Sequence, residues 1–132
     1  MNRIPLTATV VVALNLVIAT VHGLSHARAE VLLEPWQMAF VVLTVYALPV
    51  LAVVLYWAPT RRTGAALLAG TMLASLLFGL YFHFVADTPD HVSHRDPGRA
   101  GMLFLVTAVL LVPAEALGAW SGAWAFRREA PT

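Results

Sequence analysis

The chain has 132 residues, of which 60% are hydrophobic and only 11% are charged. Soluble domains carry roughly 25% charged residues, so the composition is that of a membrane protein, and the length suits one domain. There is no cysteine and the net charge is +1. That excludes disulfides, iron–sulfur clusters and thiol catalysis, and leaves no electrostatic footprint for nucleic acid.

The first apolar run, over residues 4–23, follows Arg3 and leads to His22 and His26. Ala27-Arg28-Ala29 has the small-x-small form of a signal-peptide cleavage site. The run is longer than the roughly 7–15 residues of a signal h-region, however, and close to the ~20 that spanning requires. It is therefore read as a retained span.

After a polar connection containing Arg28, Glu30 and Glu34, the second run covers residues 36–58 between Trp36 and Trp57, both suited to interfacial anchoring. Pro49 lies inside it and predicts a kink, because proline removes a backbone donor. The link carrying Arg61 and Arg62 is short enough to make the second and third runs a tight antiparallel hairpin.

The third run, residues 64–86, repeats Ala66, Gly70 and Ala74, with Ser75 and Gly79 on a neighbouring stripe. Small residues at that spacing allow close helix approach in lipid. Its last turn carries His83, one turn before Asp87. A second polar connection holds Asp90, His91, His94 and Asp96, and is broken by Pro89, Pro97 and Gly98. The fourth run, residues 100–126, holds Pro113, Glu115 and the Gly118/Gly122 pair, and is closed by Arg127 and Arg128.

Lipid cannot satisfy open backbone groups, so such runs must be helices. The expected fold is an all-α integral membrane protein, an antiparallel bundle of four transmembrane helices. Arg3, Arg61, Arg62, Arg127 and Arg128 fall on one side, opposed only by Glu129, while the acids concentrate with Arg28, Arg95 and Arg99 on the other. The arginine bias puts both termini in the cytoplasm and the histidine-bearing connections outside, in the plasma (inner) membrane.

All five histidines thus share one side. His22 and His26 are spaced i, i+4 and present both rings on one helix face if the first helix continues to Ala27. A zinc protease needs a glutamate after the first histidine; here that residue is Gly23, so the protease reading fails. His83, Asp87, His91 and His94 complete a set of nitrogen and oxygen ligands suited to zinc, copper, nickel or iron. Met38 and Met102 start helices on the same side, where gap-filling is the usual role. Taken singly, a helix-end histidine is an ordinary interfacial residue and loop histidines are usually solvated. Their co-location with His83, an ionisable group inside an apolar run, is what points to a site.

Asn15 and Glu115 share a mid-membrane depth, where each is either a proton-relay group or a structural hydrogen-bonding partner. The leading expectation is transition-metal sensing, delivery or permeation. The redox alternative is a haem b protein using His22 or His26 with His83 as axial ligands. A third reading is an accessory subunit of a larger complex or a homo-oligomer, docked through the small-residue faces. An open metal position can activate water, but no residue pattern identifies a substrate or an enzyme class.

Overall fold

A computed structural model of the chain describes residues 3–96 and 98–129. Among these residues there are four long helices and no strand: α1 (Arg3–Arg28), α2 (Pro35–Trp57), α3 (Arg61–Val85) and α4 (Arg99–Arg128). All four are long and apolar enough to cross a membrane. At ~1.5 Å rise per residue the shortest exceeds the ~30 Å hydrocarbon thickness.

Each helix packs against its two neighbours in the order α1–α2–α3–α4, with α4 returning to α1, which makes α1 and α3 diagonal partners. The buried face of α1 reads Pro5, Ala8, Val12, Asn15, Ala19, His22 and His26, alternating steps of three and four as a bundle seam requires. At the end away from the histidines, Val12, Ala52, Tyr56, Leu68, Met72 and Ala125 close the interior.

Close approach of α3 and α4 depends on the glycine pair anticipated from sequence. A methyl group on Gly122 would lie 2.5 Å from the Ala69 nitrogen, and one on Gly118 would lie 2.7 Å from Met72 Cγ. Gly64 meets α2 in the same way, 2.8 Å from the Ala52 carbonyl oxygen. The Ala66/Gly70 stripe, by contrast, faces outward, and nothing lies within 4 Å of a methyl group on Gly70.

Two helices contain wide turns that the sequence reading did not anticipate. In α2, residues Val42–Ala47 form a π-helical stretch immediately before Pro49. Proline cannot donate the usual helical hydrogen bond, and the backbone widens upstream rather than simply kinking. In α3, the last turn, Tyr81–Val85, is also π-helical and carries His83. Such turns occur often at functional sites because they re-aim a side chain.

Both ends beside the histidines are folded tightly. Glu30 takes a positive φ of 55°, and the Val31 N–H donates back to the His26 carbonyl at 3.0 Å. That is a left-handed helix stop of Schellman type. Helix α3 stops at Val85, and Ala86 is extended. Pro89 follows, whose ring disfavours helix in the residue before it, and the connection doubles back over the bundle end.

Candidate metal centre

His22, His26 and His83 meet at this end of the bundle, and all three are buried. The Nε2 atom of His22 lies 3.1 Å from that of His83 and 3.2 Å from that of His26. One ligand nitrogen from each ring can be chosen so that all lie within 4.8 Å of one another. The buried Phe104 ring on α4 forms their floor, with centroid distances of 4.9, 4.8 and 5.4 Å to His22, His26 and His83. Arg95 covers its far side at 5.2 Å.

The outer nitrogen of each ring faces an oxygen. Thr107 Oγ1 donates its only proton to the Leu103 carbonyl at 2.7 Å, so at 2.8 Å it must accept from the Nδ1–H of His22. His26 Nδ1 faces the Val31 carbonyl at 3.4 Å, a geometry supplied by the turn that ends α1. His83 Nδ1 faces the Asp90 carbonyl at 3.2 Å and its Oδ2 at 3.4 Å. These oxygens can only accept, which places protons on the Nδ1 atoms of His22 and His83, whereas His26 has an acceptor on either side, the Val31 carbonyl at Nδ1 and Asp90 Oδ1 at Nε2. In a neutral imidazole protonated at Nδ1 the other nitrogen keeps a free lone pair. The lone pairs of His22 and His83 turn inward, and His26 Nε2 meets them with Asp90 Oδ1 3.3 Å away. With His26 Nε2 deprotonated, the three nitrogens and the carboxylate oxygen would form a donor set of the kind a transition-metal ion takes. Outer Nδ1–H groups donating to oxygen are also the usual support of histidine ligands.

The spacing fits a small ion. Metal–nitrogen bonds of ~2.0–2.1 Å in a tetrahedral set place neighbouring nitrogens roughly 3.3 Å apart, close to the two short separations seen here.

The remaining sequence candidates fall elsewhere. Asp87 was expected one turn after His83 on the same face, but the helix ends before it. Its side chain is 92% exposed and lies 3.1 Å from His94 Nε2. His94 is exposed and His91 half-buried, their ring centroids 5.6 Å apart and away from the buried trio. Asp90 takes the place the sequence reading gave to Asp87. The available signal was its position in the loop just after Pro89, which lets the chain turn back.

Met38 and Met102 are both exposed. Asn15 is wholly buried, and neither atom of its amide has a hydrogen-bonding partner. Glu115 is buried and lines a cavity of about 360 Å³ that also reaches His22, His26, His83 and Asp90.

Comparison with known proteins gives no match to this chain among family models, curated proteins or solved structures.

Proposed function

We propose that this chain is an integral membrane protein of the plasma (inner) membrane that binds a transition-metal ion outside the cytoplasm, through the Nε2 atoms of His22, His26 and His83. Asp90 supplies a carboxylate beside them. The observation that carries this reading is the convergence of three buried imidazoles, with His22 Nε2 3.1 Å from that of His83 and 3.2 Å from that of His26 while each Nδ1 faces an outer oxygen. Zinc, copper, nickel and iron all accept such an imidazole set.

Sensing or delivery suits the fold better than permeation, because the packed core around Tyr56, Leu68 and Met72 closes the opposite half of the bundle. The haem alternative with His22 and His83 as axial ligands would require those rings to move apart. Two axial nitrogens on either side of an iron stand about 4 Å apart at ~2 Å per bond, whereas His22 and His83 approach to 3.1 Å with no gap for a macrocycle. A proton shared among the rings, giving a pH-responsive protein, is the competing occupant.

Elemental analysis separates the two. Detergent-purified protein, loaded with zinc and dialysed, should retain about one equivalent per chain, and the single variants His22→Ala, His26→Ala and His83→Ala should each lose most of it. Equal retention in all four proteins would refute the centre. No retention by the parent protein would leave the proton in possession of the site.

A second reading concerns assembly. The outward Ala66/Gly70 stripe is the kind of surface on which another helix packs closely in lipid. It would serve a homo-oligomer or a larger complex.

A further inference from the structure

Beneath the three imidazoles the cavity runs into the bundle, and its walls are mainly aliphatic and aromatic. Its volume of about 360 Å³ falls within the roughly 300–1,000 Å³ of small-molecule sites. Met38 and Val42 of α2 edge it and are exposed on the outer surface of the bundle, beside the exposed Leu32 of the α1–α2 connection. An occupant would therefore enter from the lipid side.

The cavity's polar groups are unevenly placed. The histidines and Asp90 lie at one end, and Glu115 faces them across Gly79. A methyl group on Gly79 would sit 3.8 Å from His83 Cδ2 and 3.9 Å from Glu115 Oε2, so the missing side chain keeps this gap open. Glu115 is only 4% exposed. It makes no hydrogen bond or ion pair with any described residue. Its side chain also leans toward the start of α4, as helical side chains do, which is the end that bears the trio. A buried carboxyl group without a partner is costly in an apolar setting, and a ligand that bonds to it would relieve that cost.

We infer that the cavity binds a membrane-soluble amphiphile whose hydroxyl-bearing head group sits between the histidine centre and Glu115. Its oxygen meets the metal, its hydrogen is donated to Glu115, and its alkyl chain fills the apolar remainder. This inference rests on the metal reading of the trio and adds the class of molecule that the centre would take.

Cobalt(II)-loaded protein provides the test, because its visible spectrum reports changes in coordination. Octanohydroxamate serves as the probe, with a metal-binding, hydrogen-donating head on an alkyl chain, and acetohydroxamate serves as the chainless control. In the parent protein octanohydroxamate should shift the spectrum. Gly79→Leu, which fills the gap, and Glu115→Gln, which alters the hydrogen-bonding partner, should each raise the concentration needed by about tenfold, the scale of one lost hydrogen bond. Both variants should keep the unliganded cobalt spectrum, and the acetohydroxamate response should weaken in both variants as well, because its head group alone occupies the gap. Detergent partitioning of the long chain is common to all samples and cancels. An octanohydroxamate response unchanged in both variants would overturn the inference alone. Absence of a cobalt spectrum in the parent protein would overturn the metal centre and this inference together.

Discussion

Asp90 touches two of the three imidazoles, with Oδ1 near His26 and Oδ2 near His83. Removing its charge should therefore weaken the centre without unmaking it. Asp90→Asn is expected to lower zinc affinity by about 10–100-fold, the usual scale for partners that orient metal ligands, while Asp87→Asn should leave it unchanged. Competition titrations with a chelator would measure both, and equal effects would contradict the placement of Asp90.

Thr107→Val should act on the same scale by stranding the Nδ1–H of His22. Protons compete with a metal for the same three lone pairs, so affinity should fall as pH is lowered; a pH-independent affinity would speak against imidazole ligation. Asn15 makes a separate prediction. Because its buried amide has no partner, Asn15→Leu should be neutral or stabilising, by up to about 1–3 kcal/mol. A marked loss of thermal stability would reveal a partner for the amide.

The helices themselves were the most legible part of the sequence. Uninterrupted apolar runs bounded by arginines leave the backbone no alternative, and the four helices stand where those runs fall. Their ends were less legible. Helix α1 continues to Arg28, beyond the expected residue 23, because its stop is a left-handed turn at Glu30, a residue type with no special preference for that conformation. The π turns were invisible to a reading based on apolar periodicity. His22 and His26 were legible as a pair because their spacing is a property of one helix. Asp90 was not, because its position depends on how a loop folds back.

Packing at the glycines gives a contrast between elements. Gly122→Leu forces a side chain against the Ala69 backbone and should sharply reduce the melting temperature. Gly70→Leu points into open space and should not. Should Gly70→Leu instead change the oligomeric state seen by light scattering, the outward stripe would be an assembly face.

At the scale of the whole molecule, the histidine cluster joins the diagonal helices α1 and α3 over a ring from α4, so metal bound there should tie α1 to α3 and raise the unfolding temperature as occupancy rises. Sidedness can be read cleanly because the chain has no native cysteine. Ser93→Cys, in the histidine-bearing loop, should react with an impermeant maleimide on intact cells. Thr63→Cys, beside the arginine pair, should react only after lysis. The reverse pattern would invert the proposed topology.

The most direct test of the central claim is X-ray absorption spectroscopy of the zinc-loaded protein. The geometry predicts a first shell with three imidazole nitrogens at about 2.0–2.1 Å, including the outer-ring scattering that marks histidine, and loss of that pattern in His83→Ala. A first shell of oxygens alone, or one unchanged by His83→Ala, would contradict it.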